Sequence, residues 1–404
     1  MIASEDVPVA RVESWDLFCR VVDNYGDIGV AWRLARQLAS TTRRAIRLVV
    51  DDLDAFARIE SRIDSEAQCQ RIDAIDVVRW RADGWREVGP TAGPTAGPTA
   101  GPADVVVELF GCGLSQAYID AMARATTPRP AIWIDLEYLS AESWVDDFHG
   151  LPSPHPTLPL VKHFFYPGFG QKTGGVLIEA GLDGRRRAFI EDAAEVDAFW
   201  RRLQLARPTA NETRVSLFAY AGAPLLPLFK AMADDPARRW SVVAPEGVLP
   251  REIEACFGVD ARGSPSIFTI PFVDQDDYDR LLWCCDINFV RGEDSFVRAQ
   301  WAARPFVWHI YPQADDAHKK KLHAFEDRYE VGLHQAARDA QRALWDAWNV
   351  QPHEGFTKAW AHWSGMLPEL SAHAEVWRQN LASQAGLVDR LLSFVAERRA
   401  ALLK

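Results

Sequence analysis

The sequence predicts an α/β protein made of two Rossmann-like domains that face one cleft, followed by C-terminal helices. Its 404 residues correspond to two or three domains at about 150 residues each. Short runs of apolar, β-branched residues alternate with stretches of helical periodicity, which is typical of parallel sheets covered by helices on both faces. The alternation occurs twice, so we expect two such sheets.

The first series begins with the apolar run WDLFCRVV at residues 15–22, which predicts a buried strand. A polar turn at 23–27 and a helix at 28–40 follow it. Further strands are predicted at 46–50, 75–80, 104–110 and 131–137, and helices at 52–60 and 114–126. We assign residues 1–180 to this N-terminal domain.

Two stretches interrupt the first series. Residues 89–102 contain three GPTA units and a partial fourth, and Pro and Gly at this spacing exclude a helix or a central strand. We interpret this tract as an exposed loop insertion within the domain. Residues 138–176 are rich in Pro and Gly and predict a long irregular loop, a kind of segment that is often functional or interdomain.

The second series begins near residue 214. Strands are predicted at 214–220, 240–245, 267–272, 286–290 and 305–310, and helices at 222–233, 250–257, 275–285, 293–303 and 316–328. We assign residues 181–370 to a C-terminal Rossmann-like domain and 371–404 to a helix that packs back on the N-terminal domain. Two such domains facing one cleft are the architecture of GT-B glycosyltransferases and some sugar-nucleotide epimerases, with ligands at the carboxyl ends of the strands.

Composition narrows the class of protein. With 45 Lys and Arg against 56 Asp and Glu, the net charge is −11, which argues against a nucleic-acid binder that relies on a basic face. The sequence has no run of about 18 apolar residues, so we expect no membrane embedding. Its first residues are acidic where a signal peptide is basic, and its six cysteines form no CxxC pair. We therefore expect a cytoplasmic protein with free thiols.

The polar turn after the first strand reads Asp23-Asn24-Tyr25-Gly26-Asp27. It lacks a GxGxxG fingerprint, and its carboxylates would repel a pyrophosphate, so it does not predict a phosphate cradle. Capping of the following helix would account for one aspartate. Two aspartates around a glycine at a strand–helix junction favour an acid–base or cation-binding role.

The corresponding turn of the second domain reads Arg291-Gly292-Glu293-Asp294-Ser295. Arg291 offers a fork of donors, Gly292 permits close approach of a ligand to the backbone, and helix amides near Asp294 and Ser295 attract anions. Glu293 could accept hydrogen bonds from ribose hydroxyls. Helix capping is the alternative, but the chemistry suits a nucleotide diphosphate.

Other candidate residues follow neighbouring strands. Phe272 could stack on a base and Gln275 could read its edge, although an N-cap alone explains the aspartates of that turn. Of Phe218 and Tyr220, one is expected in the core and the other in a site. The sequence has no HxH, HExxH or cysteine cluster, so we predict no metal site. Residues 319–321, three lysines, are interpreted as a solvated helix face.

Several blocks of the sequence resemble the EarP family, bacterial protein-arginine rhamnosyltransferases that act on translation elongation factor P. These blocks include WDLFCRVVDNYGDIGVAWRLARQLA, WIDLEYLSAESWV, HGLPSPHP, PFVDQDDYDRLLW and NFVRGEDSFVRAQWAARPFVWHIYPQ. The resemblance runs in register over nearly the whole chain from about residue 14. The GPTA tract has no counterpart in the family pattern, and Asp274 stands where the family often has Pro.

The resemblance implies a GT-B fold, no cofactor, and dTDP-β-L-rhamnose as a donor held mainly by the C-terminal domain. The acceptor would be one arginine on a loop of elongation factor P, with inversion at the anomeric carbon. The family's functional aspartates fall on Asp23 and Asp27, and Asn24, Tyr25 and Gly26 belong to this acceptor-side turn. Its nucleotide-sugar contacts fall on Phe218, Tyr220, Phe272, Gln275, Arg291, Glu293, Asp294 and Ser295.

These residue types suit the implied reaction. A guanidinium stays protonated in proteins and is a poor nucleophile, so a transferase must orient it and remove a proton. We assign Asp27 as the general base and Asp23 as the orienting partner, with the reverse assignment as the alternative. Arg291 and the helix N-terminus at 293–296 can stabilise the leaving group without a metal. Alternatives are a GT-B transferase or epimerase with a small-molecule substrate, and a non-catalytic module that binds elongation factor P.

Overall fold

A computed structural model describes most of the chain. The described residues are 13–23, 25–42, 44–80, 101–125, 130–247, 265–313, 317–350, 353 and 355–402. Asn24, most of the GPTA tract and the predicted helix at 250–257 lie outside them.

Two sheets confirm the predicted α/β class. The first has eight strands in the order β3-β4-β2-β1-β5-β6-β8-β7, and the second has five in the order β11-β10-β9-β12-β13. Neighbouring strands are parallel except at the two edges of the first sheet, where β3 and β7 run antiparallel to β4 and β8. The strands are β1 Ser14–Cys19, β2 Ala45–Val50, β3 Cys69–Ile72, β4 Ile75–Arg79, β5 Val105–Leu109, β6 Ile132–Leu136, β7 Pro152–Pro154, β8 Val161–Phe165, β9 Glu212–Leu217, β10 Arg239–Pro245, β11 Ser266–Ile270, β12 Ile287–Arg291 and β13 Phe306–His309.

Helices cover the sheets and extend to the C-terminus. Their bounds are Gly26–Thr41, Leu53–Ile59, Gln116–Arg124, Val145–Phe148, Leu182–Glu191, Ala193–Arg202, Leu225–Ala233, Gln275–Cys284, Asp294–Ala302, Ala317–Tyr329, Gln335–Asn349, Phe356–Gly365, Leu367–Ala382 and Leu387–Ala401. None of those within the described residues is long and apolar enough to span a bilayer.

The central strands form because apolar residues occupy both of their faces. Every residue of β1 and of β12 is buried, as expected for parallel strands covered on both sides. Each of these strands ends in a polar turn that opens a helix, Gly26–Thr41 after β1 and Asp294–Ala302 after β12. The carboxyl ends of the two strands therefore carry the two turns that the sequence singles out.

The stretch 138–176 differs from its predicted irregular loop. It contains the helix Val145–Phe148 and the strands β7 and β8, of which β8 pairs in parallel with β6. These elements are three to five residues long and flanked by prolines, so they carry too few residues for a periodic signal.

The last two helices pack in different places. Leu370 and Leu381 of the helix Leu367–Ala382 are buried in the core of the second sheet. The helix Leu387–Ala401 instead contributes to the core of the first sheet, through the buried residues Leu387, Val388, Leu391, Phe394 and Val395. The chain thus returns to its first domain at the C-terminus.

Candidate active site

The two polar turns meet across the cleft at the side chain of Asp23. Its Oδ1 lies 3.2 Å from Nη1 of Arg291, and its Oδ2 accepts a hydrogen bond of 2.7 Å from the Tyr220 hydroxyl. Asp23 belongs to the first domain, and both partners belong to the second. The acidic turn and the cationic turn that the sequence predicts are therefore in direct contact.

Asp27 makes its hydrogen bonds within its own domain. Its Oδ2 accepts from the backbone N–H of Val22 (2.8 Å) and of Asp23 (2.9 Å), and its Oδ1 accepts from the Tyr138 hydroxyl (3.1 Å). The side chain is only 1% exposed. Burial raises the pKa of Asp27 above its usual range, although the hydrogen bonds oppose the shift. The carboxylate is thus held rigidly and binds a proton more strongly than a solvated aspartate does.

Two glycines allow Asp23 to sit where it does. A Cβ at Gly26 would lie 2.7 Å from Asp23 Oδ2, and a Cβ at Gly292 would lie 2.5 Å from the same oxygen. Gly292 also has φ +59°, a conformation that side chains disfavour. Each turn therefore uses a glycine to admit the same carboxylate.

Aromatic rings enclose the guanidinium of Arg291. Its central carbon lies 4.5 Å from the ring centroids of both Phe218 and Tyr220, a cation–π arrangement on two rings. The backbone N–H of Arg291 donates to Ser295 Oγ (3.0 Å), which itself donates to the Arg291 carbonyl. The N–H of Tyr220 donates to His309 Nδ1 (3.2 Å). Burial lowers the pKa of His309 to about 3, so this nitrogen stays an acceptor at neutral pH.

The first cavity of the cleft opens beside these groups and encloses about 560 Å³ of space that is continuous with solvent. Its lining is mostly aromatic and apolar, with polar groups at one end. It consists of Asp23, Tyr25, Gly26, Ile59, Phe218, Pro245, Phe272, Val273, Gln275, Tyr278, Arg291, Asp294 and Ser295.

Both domains build the first cavity. Tyr25 packs against Phe272 with ring centroids 4.7 Å apart, across the domain boundary. The amide nitrogen of Gln275 donates to the carbonyl of Gly29 (3.0 Å) and to Asp294 Oδ2 (3.2 Å). Gln275 is 5% exposed, and its Oε1 has no hydrogen-bond partner among the described residues. That oxygen is available to a ligand N–H.

A second cavity, of about 700 Å³, lies next to Asp23 and Glu293. Val22, Tyr138, Gly292, Trp308, Ile310, Tyr311, Gln313 and Lys321 complete its lining. Burial raises the pKa of Glu293 to about 7, opposed by Lys321 and reinforced by Asp27 and Asp23. Glu293 therefore changes its charge close to neutral pH.

The structure thus places most of the predicted residues in one region, but they do not all line the same cavity. Nine of them line the first cavity, Glu293 lines the second, and Tyr220 contacts Asp23 and Arg291. Asp27 lines neither cavity and touches Asp23 only through its backbone N–H. Asn24 lies outside the described residues.

Sequence reasoning missed several residues of the site. Tyr138 follows β6 at the sheet edge where β1 also ends, and that position was the available signal. Lys321, expected on a solvated helix face, lines the second cavity, with Nζ 5.8 Å from the Tyr138 ring. Among the described residues, three potential metal ligands come together only at His323, Glu326 and Asp346, none of which lines either cavity.

Comparison with known proteins is consistent with this arrangement. The profile of the family described as "Elongation-Factor P (EF-P) rhamnosyltransferase EarP" matches residues 15–396. A protein-arginine rhamnosyltransferase of Pseudomonas aeruginosa is 43% identical over 392 residues, covering 95% of this chain and 99% of its own. A protein of the same name from Neisseria meningitidis is 32% identical over 398 residues, covering 94% of this chain and 96% of its own.

Solved structures agree. One, from a study of EarP-mediated arginine glycosylation of translation elongation factor EF-P, aligns with TM-score 0.63 and 31% identity over 95% of this chain and 99% of its own. A glycosyltransferase from Rickettsia africae, 10% identical, aligns with TM-score 0.52 over 97% of this chain and 99% of its own, which bears on the fold alone. The predicted GT-B fold is confirmed, and the chain belongs to the EarP family of elongation factor P rhamnosyltransferases.

Proposed function

We propose that this protein transfers L-rhamnose from dTDP-β-L-rhamnose to an arginine side chain of translation elongation factor P, with inversion at the anomeric carbon. The contact between Asp23 and Arg291 carries the proposal. It places a carboxylate that binds a guanidinium directly beside a cation suited to a diphosphate. Membership in the family gives the acceptor.

The first cavity is where we place the donor. Phe272 and Tyr278 offer apolar rings for the base, and the unpartnered Oε1 of Gln275 can accept the imide N–H of thymine. Arg291 and the N-terminal amides of the helix Asp294–Ala302 would face the diphosphate. These groups stabilise the charge that develops on departing dTDP, so the proposed mechanism requires no metal.

The acceptor guanidinium would take the place that Arg291 holds on Asp23. In the reaction, a guanidinium nitrogen forms a bond to the anomeric carbon while the bond from that carbon to the diphosphate oxygen breaks. The nitrogen's proton passes to Asp27, and the electron pair of the broken bond leaves with dTDP. A pKa raised by burial makes Asp27 the better proton acceptor, and the position of Asp23 in the lining of both cavities suits orientation.

Mass spectrometry of elongation factor P tests the proposal. Incubation with the enzyme and dTDP-rhamnose is expected to add one deoxyhexose to a single arginine, and a reaction without donor serves as control. Release of dTDP without modified protein would mean that the rhamnosyl group passes to water, as expected of a transferase whose acceptor is not elongation factor P. A stable complex without dTDP release would indicate a binding module, and either result would contradict the proposal. Because the acceptor is a translation factor, we place the protein in the cytoplasm.

A further inference from the structure

A buried cluster of ion pairs lies where the helix Gly26–Thr41 meets the second domain. Arg33, from that helix, contacts three carboxylates: Glu179 at 3.0 Å, Asp279 at 3.0 Å and Asp294 at 2.8 Å. Arg298 contacts Glu179 and Asp279 as well. Both arginines are 1% exposed, so these charges are screened little by solvent.

Only one of the two arginines reaches the donor cavity. Arg33 Nε donates to Asp294 Oδ1, whereas the ion pairs of Arg298 within the described residues are to Glu179 and Asp279. The other oxygen of Asp294 accepts from Gln275, and both Asp294 and Gln275 line the first cavity. Arg33 is therefore linked to the donor cavity through Asp294 and through the Gln275 carbonyl, to which its Nη2 donates at 3.3 Å, whereas the ion pairs of Arg298 reach neither residue.

The same helix also approaches Asp294 closely at Gly29. A Cβ at Gly29 would lie 3.1 Å from the Cβ of Asp294, and the Gly29 carbonyl accepts from Gln275. Asp294 and Gln275 thus belong to the second domain but receive their position from the first. A charged group held this way costs little reorganisation when a ligand binds.

We propose that Arg33 is a positioning residue for the donor site, one that fixes Asp294 and Gln275 from the opposite domain. The inference rests on the proposed function, because it takes the first cavity as the site of dTDP-rhamnose. Arg33 touches neither substrate in this assignment. It acts by holding both residues in the orientation that the donor requires.

Calorimetric titration of the full-length protein with dTDP tests the inference. Arg33→Lys keeps the positive charge but loses the planar fork of donors. We expect it to raise the Kd for dTDP about tenfold, which corresponds to the loss of one charge-assisted hydrogen bond. With saturating donor and acceptor, kcat should stay within about threefold of wild type, because the positioning concerns ground-state donor binding.

Arg298→Lys is the matched control, since it removes the same fork from the same cluster without touching Asp294. We expect its Kd for dTDP to stay within about twofold of wild type, while thermal denaturation shows a loss of stability similar to that of Arg33→Lys. An unchanged Kd in Arg33→Lys would overturn the inference, and so would an equal rise in both variants. No binding of dTDP to the wild-type protein would instead refute the proposed donor.

A double-mutant cycle covers the case in which Arg33→Lys does not fold. Arg33→Gln combined with Asp294→Asn removes the ion pair as a unit and leaves no uncompensated charge at that contact. The double variant should bind dTDP within about threefold of Asp294→Asn alone, because Arg33 acts mainly through Asp294 and only its longer contact with the Gln275 carbonyl is lost in addition. A further tenfold loss in the double variant would show that Arg33 acts independently of Asp294.

Discussion

The two turns that face each other across the cleft occupy the same place in their domains, yet they are held in different ways. Asp27 in the first turn is fixed by two backbone amides of that turn and by Tyr138 of the same domain. Asp294 in the second turn is fixed by Arg33 of the other domain. Asp27 is therefore held within one domain, whereas Asp294 depends on contact between the two.

In the proposed mechanism, this difference separates Asp27, which accepts the proton, from Asp294, which lines the donor site. A base must keep its position whether or not the domains are in contact, and local hydrogen bonds provide that. A donor site that depends on both domains is completed only when they meet, which links donor binding to the closed cleft. Substitutions in the two turns should therefore affect different steps, turnover for Asp27 and donor binding for the second turn.

The largest effect is expected for Asp27→Asn. The amide oxygen can still accept from the two backbone N–H groups, and the amide nitrogen can donate to Tyr138, so the turn should survive. Without a proton acceptor, kcat should fall about 10²- to 10⁴-fold, while the Kd for dTDP stays within about twofold of wild type. Asp51→Asn, which also removes a carboxylate that accepts from a backbone amide, is the control and should leave kcat unchanged. Retained turnover in Asp27→Asn would contradict its role as base.

Arg291→Lys tests the second turn. The substitution loses the stacking on Phe218 and Tyr220 and the fork of donors, so the Kd for dTDP should rise about ten- to hundredfold. Arg280→Lys, at an ion pair with Asp277 that lines neither cavity, should bind dTDP like the wild type. Equal affinities of the wild type and Arg291→Lys in calorimetry would remove Arg291 from the donor site.

Gly292→Ala tests the close approach of the two turns. The new Cβ would collide with Asp23, and we expect kcat/KM to fall about tenfold or more. Gly111 has nearly the same φ, +60°, but open space around it, so Gly111→Ala carries the backbone strain without the collision. Both variants should lose about 1 kcal/mol of stability, and only Gly292→Ala should lose activity. Equal values of kcat/KM for Gly292→Ala and Gly111→Ala would show that the reaction tolerates a displaced Asp23.

Glu293 predicts a pH dependence of stability. Its carboxyl ionises near 4.5 when unfolded and near pH 7 when folded, so the unfolded state releases the proton first as pH rises. The free energy of unfolding should therefore fall between these values, by about 1–3 kcal/mol, and not recover above pH 7. Burial raises the pKa of Glu326 to about 9, so Glu326 adds to the same decrease. Glu293→Gln should therefore make the decrease between pH 5 and pH 8 smaller in denaturation curves, whereas Glu397→Gln, at an exposed position, should leave it unchanged.

The smallest effect is expected at the solvent edge of the domain contact. Arg36 and Asp276 form an ion pair across it, at 3.2 Å, with 35% and 58% of their side chains exposed. Exposed pairs contribute under about 1 kcal/mol, so Arg36→Gln should change neither dTDP affinity nor thermal stability by a measurable amount. If Arg36→Gln lost as much dTDP affinity or thermal stability as Arg33→Lys, the buried Arg33–Asp294 contact would be no more important than the exposed Arg36–Asp276 contact.

The central strands and both turns were predictable because their signals are local. The apolar run of residues 15–22 marks a buried strand, and the polar turn that follows it must lie at the carboxyl end. The short strands β7 and β8 and the antiparallel strand β3 were not predictable at this level, since partners distant in sequence stabilise them.

The sequence predicted which residues lie in the site better than it predicted the hydrogen-bond partners and the role of each. Nothing in the sequence distinguishes the partners of Asp27 from those of Asp23, because Tyr138 and Tyr220 are far from both along the chain. Arg33 lies in the middle of an amphipathic helix, where an arginine usually faces solvent. Only the packing of that helix against the second domain gives Arg33 its three carboxylates.

The pairing of Asp23 with Arg291 has a kinetic consequence. In the proposed mechanism the acceptor binds the carboxylate that Arg291 contacts, so free arginine and arginine-rich proteins would meet a blocked position. The diphosphate of the donor, by attracting Arg291, would vacate Asp23 and allow the acceptor in. Initial-rate kinetics should then show compulsory-order addition, with the sugar nucleotide first and the protein second, and the enzyme would be protected against unproductive capture of the many arginines in the cell.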